Sequence, residues 1–121
     1  MAGTVMIVDD AVSIRGLASM TLENAGYGVI EARDGREALA LLRSHRVNLV
    51  ITDVNMPNMG GIELVRALKA DPAHRFIPVV ILTKETAPEL KGAGRAAGAR
   101  AWVTKPFTPR TILSVTRKII G

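Results

Sequence analysis

Asp9 and Asp10 close the apolar run Thr4-Val5-Met6-Ile7-Val8, and Asp53 closes a second, Asn48-Leu49-Val50-Ile51-Thr52. Carboxylates beside a core are costly unless something compensates them. A cation with oxygen ligands, most simply Mg²⁺, is that compensation. Two further runs end in Thr83-Lys84 and in Lys105. A strand end meeting water explains any one of these residues, and Lys84 is as well explained as a solvated lysine. It does not explain the set. Asp53 stands alone and suits nucleophilic attack, whereas the Asp9-Asp10 pair suits metal ligation. Three carboxylates balance a divalent cation and Lys105; an acyl phosphate on Asp53 then leaves about one negative charge in excess. Lys105 and Thr83 supply donors for phosphoryl oxygens.

Short β-branched runs read as buried parallel strands, and their C-terminal ends share the edge where open α/β sheets bind ligands. The strand candidates are 4–8, 28–32, 48–53, 78–83 and 100–104. Helices fill the gaps. Ser13 to Ala25 carries Ile14, Leu17 and Leu22, with Gly26 as a stop. Asp34 and Glu37 form a capping box ahead of Ala38, Leu41 and Leu42. Gly61 to Ala70 places Ile62, Val65 and Leu68 at helical spacing. Thr108-Pro109 opens a last helix with Ile112, Leu113, Val115, Ile119 and Ile120 on its apolar side. The stretch Pro88 to Gly98 holds Gly92 and Gly94 inside a helix. Either they permit close packing on the sheet, or they keep the helix marginal so that it can shift. Strand–helix alternation repeated five times implies a doubly wound parallel sheet.

The chain has 121 residues, 48% of them hydrophobic, enough for one core. It lacks cysteine, which excludes disulfides and thiolate metal sites. Its apolar runs are too short to span a bilayer and no leader opens it, so a cytoplasmic location is expected. The net charge of +5 is uneven: residues 1–83 carry eight Lys/Arg against nine Asp/Glu, residues 84–121 eight against two. A basic last third is either plain solvation or a docking face for an acidic partner. No nucleic-acid recognition motif accompanies it, and neither nucleic acid nor membrane is expected as a partner. His45 and His74 fall in expected loops and read as unpaired surface residues.

Together, Asp9-Asp10, Asp53 with Val54-Asn55-Met56-Pro57-Asn58-Met59-Gly60-Gly61, Thr83, and Lys105-Pro106-Phe107 resemble the CheY-like receiver domains of two-component response regulators. The resemblance covers residues 4–120 and implies a flavodoxin-like five-stranded sheet of order 2-1-3-4-5 with five helices. It implies one receiver domain over 1–121 with no output domain. It implies a phosphoacceptor switch, not an enzyme: Asp53 takes a phosphoryl group from a sensor histidine kinase of chemotaxis type. Asp10, Asp53 and the Asn55 backbone carbonyl would hold Mg²⁺, with Asp9 acting largely through water. Thr83 and Lys105 would hold the phosphoryl group, and Thr83 and Trp102 would switch the face formed by helix 4, strand 5 and helix 5. Its target would be one such as the flagellar motor switch, with a phosphatase as a further partner. The Lys105-Pro106 bond is expected to be cis. Met56 and Met59 are expected to shape the loop after Asp53.

Two positions depart from the pattern. Lys84 follows the switch threonine where a small residue is usual, and Gly60 stands where an acid is common. Lys84 and Glu85 are therefore candidate modulators of phosphoryl lifetime. Trp102 also reads as an ordinary core aromatic. Other readings are a phosphorelay carrier, a phosphorylation-independent interaction module, and an Asp-nucleophile phosphatase. The last usually has an acid two residues after the nucleophile, where this chain has Asn55.

Overall fold

The computed structural model describes residues 3–84 and 88–121, with only the backbone considered over 88–91. Strands β1 (Thr4–Val8), β2 (Gly28–Ala32), β3 (Leu49–Asp53), β4 (Val79–Thr83) and β5 (Ala101–Thr104) alternate with five helices. These are α1 (Val12–Asn24), α2 (Gly35–Leu42), α3 (Gly61–Ala70), α4 (Pro88–Ala97) and α5 (Pro109–Ile120). All strand pairs are parallel, in the flavodoxin-like order β2-β1-β3-β4-β5. Val8 lies opposite Thr52, Asp53 opposite Leu82, and Thr83 opposite Thr104. The C-terminal ends of β1, β3, β4 and β5 therefore meet on one edge.

Alternation along each strand divides the core in two. Met6, Val8, Val50 and Ile81 pack with Leu64 and Leu68 on one face; Val5, Ile7, Ile51 and Leu82 pack with Leu22 and Ile112 on the other. Glu89, Leu90 and Lys91, read from sequence as part of the fourth helix, have side chains outside the described residues. Among the described residues, no helix is long and apolar enough to cross a membrane.

Asp34 caps α2 by accepting from the Glu37 N–H at 2.8 Å, as its spacing predicts. Glu37 reaches back to the Arg33 N–H at 2.8 Å, one residue before the cap. Thr108 caps α5 through the Thr111 N–H. The histidines are not the loose surface groups the sequence suggests. His74 Nδ1 lies 2.9 Å from Asp71 Oδ2 and its Nε2 lies 3.2 Å from the Leu42 carbonyl. His45 Nδ1 lies 3.0 Å from the Leu41 carbonyl. Both side chains reach carbonyls at the C-terminal end of α2, and that of Leu41 also accepts from the Ser44 and His45 N–H groups, contacts that residue type alone does not reveal.

The two interior glycines of α4 differ. A Cβ on Gly92 would meet nothing within 4 Å, whereas one on Gly94 would lie 2.8 Å from Trp102 Cζ3 and 3.0 Å from Ile81 Cδ1. Gly94 thus lets the indole lie against the helix, and Gly92 does no such work. Gly92→Ala is expected to stabilise the fold by about 1 kcal/mol, from helix propensity alone. Gly94→Ala is expected to destabilise it by about 1–2 kcal/mol, since overpacking outweighs propensity. Thermal melts measure both. The emission of Trp102, the single tryptophan, should shift only in Gly94→Ala.

Candidate acidic phosphoacceptor site

The carboxylates of Asp9, Asp10 and Asp53 converge where β1 and β3 end, each with an oxygen within 4.8 Å of the others. Three carboxylates this close present an oxygen-donor set of the kind Mg²⁺ takes. Asp9 is only 2% exposed and is held on all sides. Its N–H donates to the Ala32 carbonyl, and its own carbonyl accepts from Arg15 Nη1 at 2.7 Å. Its Oδ1 accepts from the Ala11 N–H at 2.9 Å and its Oδ2 from Lys105 Nζ at 2.9 Å. With both oxygens engaged, Asp9 fits contact with a cation through water, while exposed Asp10 fits direct ligation.

Lys105 also lies 3.5 Å from Asp53 Oδ2. This lysine is a member of the site, not of the basic face, because its head turns inward to two carboxylates. The cis peptide at Lys105-Pro106 follows it. Asp53 Oδ1 accepts from the Val54 N–H at 2.8 Å. Burial raises the Asp53 carboxyl above its ordinary range; Lys105 opposes that shift and Asp9 adds to it. A carboxyl whose folded pKa is raised binds more protons in the native state, so its ionisation costs stability above the carboxylate range. In metal-free buffer Asp53→Asn is expected to be more stable than wild type at pH 7. The difference should shrink as pH falls towards 3.8, the ordinary value. Denaturation midpoints across pH measure it.

The other expected residues are distributed around this centre. Thr83 is buried at the end of β4, the next strand to β3. Asn55 lines a hollow together with Asp10, Val54, Met56 and Gly60. Lys84 is exposed and lines a cavity of about 370 Å³ with Lys105, Ile14, Leu17, Pro106 and Phe107. Trp102 stands apart, half-buried on β5 against α4, and its Nε1 has no acceptor among the described residues. Glu85 lies outside the described residues.

The loop after Asp53 is tied down from both sides. Met56 and Met59, expected to shape this loop, are partly buried against the core. Gly35 N–H donates to the Met59 carbonyl, and Asn58 Nδ2 donates to Asp34 Oδ2 at 2.8 Å. Asn58 holds φ at 67°, a region asparagine tolerates better than most residues. Thr52 Oγ1 donates to the Asp53 carbonyl at 2.9 Å. The supports Arg15, Thr52 and Asn58 escape a reading by residue type, because their bonds end on backbone atoms or on a helix cap. Asp34 is the exception: its cap signal is present in the sequence.

The model of the response regulator receiver domain family matches residues 5–117. The chain is a response-regulator receiver domain. It is 35% identical to the phosphate regulon transcriptional regulatory protein PhoB of Pseudomonas aeruginosa over 97% of its own length and 51% of that protein's. It is 33% identical to the CAI-1 autoinducer sensor kinase/phosphatase CqsS of Vibrio cholerae over 91% of its own length and 16% of that protein's. This receiver domain therefore spans about half, or less, of these curated relatives. The crystal structure of the chemotaxis response regulator CheY4 of Vibrio cholerae superimposes with a TM-score of 0.93 at 45% identity, covering 99% of this chain and 100% of that one.

Proposed function

We propose that this receiver is a phosphoacceptor switch of chemotaxis type, with Asp53 as the acceptor. The observation that carries the reading is the Asp9–Asp10–Asp53 cluster closed by Lys105 Nζ. An Asp53 oxygen attacks the phosphorus of a phosphohistidine on a sensor histidine kinase. The phosphorus–nitrogen bond breaks, its electrons return to the imidazole, and an acyl phosphate remains. Water later attacks the phosphorus, releasing phosphate and restoring the carboxylate. Lys105 and Thr83 hold phosphoryl oxygens as negative charge builds. Asp10, Asp53 and the Asn55 carbonyl would hold Mg²⁺, with Asp9 behind water; bound there, the ion neutralises the charge that would otherwise repel the donor.

Partner surfaces flank the site. Val12, Leu17 and Met20 are 72%, 44% and 61% exposed on α1, beside the cavity of Ile14, Pro106 and Phe107. This apolar strip suits a helix of the phosphodonor. Exposed Arg95, Arg100, Arg110, Arg117 and Lys118 suit an acidic target on the face formed by α4, β5 and α5, such as the flagellar motor switch, and a phosphatase is a further partner. The likeness to CheY4, at full coverage of that chain, favours chemotaxis and a cytoplasmic location. The match to part of a sensor kinase favours a second reading, a relay carrier.

Acetyl phosphate with Mg²⁺ should add one phosphoryl group by mass spectrometry, lost in Asp53→Asn and in chelator. Equal labelling of Asp53→Asn ends the proposal. Lys84 sets the lifetime: exposed on the cavity it shares with Lys105, it offsets the charge that the acyl phosphate adds. Lys84→Ala should lose phosphoryl up to about fivefold faster, the equivalent of about 1 kcal/mol for an exposed charge. Lys84→Met separates charge from bulk. A decay rate equal to wild type in Lys84→Ala removes the role.

A further inference from the structure

We propose that Arg15 and Glu31 form a charge-neutral clamp that positions Asp10 for the cation, a step that rests on the reading of this site as a metal-dependent phosphoacceptor. β1 ends at Val8, so the Asp9 carbonyl lies beyond the strand. Arg15 Nη1 takes it at 2.7 Å, while the Asp9 N–H is already bound to the Ala32 carbonyl. The Asp9-Asp10 peptide is thus fixed, and with it the direction in which the Asp10 side chain leaves the backbone. Asp10 itself is exposed. Its aim comes from the chain on either side.

A guanidinium beside a cation site would repel the cation. Glu31, on the neighbouring strand β2, accepts from Arg15 Nε at 2.9 Å. The Arg15 side chain is 14% exposed and that of Glu31 45%. Glu31 therefore cancels the charge and fixes the guanidinium plane at once. Lysine keeps the charge but cannot make both contacts in one rigid fork. Neither residue touches the cation or the phosphoryl group, so both are positioning residues.

The test uses the full chain. In metal-free protein, amide exchange at Asp9 and Ala11, whose N–H groups are bonded to the Ala32 carbonyl and to Asp9 Oδ1, should be severalfold faster in Arg15→Lys than in wild type. By calorimetry, Mg²⁺ should bind Arg15→Lys about tenfold more weakly, in the range for residues that orient metal ligands. Glu31→Gln should weaken Mg²⁺ severalfold, more so at low salt, because Arg15 is then uncompensated. At saturating Mg²⁺ the labelling rate of Asp53 should return to within twofold of wild type. Unchanged exchange, unchanged Mg²⁺ affinity, or a melting temperature that falls with affinity intact each overturns the clamp. Mg²⁺ binding in wild type without labelling at Asp53 defeats the phosphoacceptor reading and leaves the clamp standing as a metal-site device. Wild type that binds no Mg²⁺ defeats both.

Discussion

Lys105→Met is expected to destabilise the metal-free protein by about 3 kcal/mol, a fall of about 10 °C in melting temperature. The argument is one of unpaired charge. Lys105 Nζ lies 2.9 Å from Asp9 Oδ2 and 3.5 Å from Asp53 Oδ2, and the Asp9 side chain is 2% exposed. Removing the cation leaves a buried carboxylate facing another carboxylate. Methionine keeps the length and packing of the stem, so the loss reports charge and not volume. Two results should follow from that cause. Millimolar Mg²⁺ should restore more stability to Lys105→Met than it adds to wild type, because it replaces the missing charge. Adding Asp9→Asn to Lys105→Met should recover part of the loss. A double variant as unstable as the sum of the two singles would remove the pairing as the source. Labelling by acetyl phosphate should fall steeply in Lys105→Met at any Mg²⁺ concentration, since the donor proposed for the phosphoryl oxygen is gone.

The second large effect is expected at Gly61. A Cβ there would overlap the Asp53 backbone carbonyl, which already accepts from Thr52 Oγ1. The obstacle is backbone and cannot rotate away. The Gly61 N–H also donates to the Val54 carbonyl at 2.9 Å, so α3 begins in direct contact with the backbone that follows Asp53. Gly61→Ala should therefore cost about 2–3 kcal/mol and push Asp53 out of register with Asp10. Mg²⁺ titration and denaturation, measured together, separate this from simple loss of stability. If Gly61→Ala unfolds earlier yet binds Mg²⁺ as tightly as wild type, the strain is absorbed by α3 and not by the site. Gly60, the departure from the family pattern, is a different case: its Cβ would meet the Val54 carbonyl at 2.7 Å, one residue past Asp53.

The strands were legible because each is a short β-branched run ended by a charged or turn residue, and the structure moves their limits by no more than a residue. β3, β4 and β5 start one residue later than their apolar runs suggest. The helix caps at Asp34 and Thr108 were legible because capping depends on a side chain and a fixed spacing. The acid cluster was legible for the same reason: strand ends in a parallel sheet must share an edge. Arg15 was not, since its role depends on the backbone carbonyl of Asp9, which every residue possesses. Gly92 and Gly94 could not be told apart by sequence, because only the rotation of α4 decides which one faces Trp102. His74 joins α2 to the turn after α3, a contact across 32 residues that no local pattern encodes.

The ion pair that closes the site joins residues 96 positions apart. Closing an unaided loop of that length costs about 4 kcal/mol of chain entropy, which only the assembled sheet can offset. During synthesis, Asp9, Asp10 and Asp53 leave the ribosome well before Lys105. A nascent chain at that stage holds the three acids but not the lysine that pairs with them. Asp9 is thus without its lysine until β5 is in place, and the charge balance of the sheet edge is settled late in synthesis.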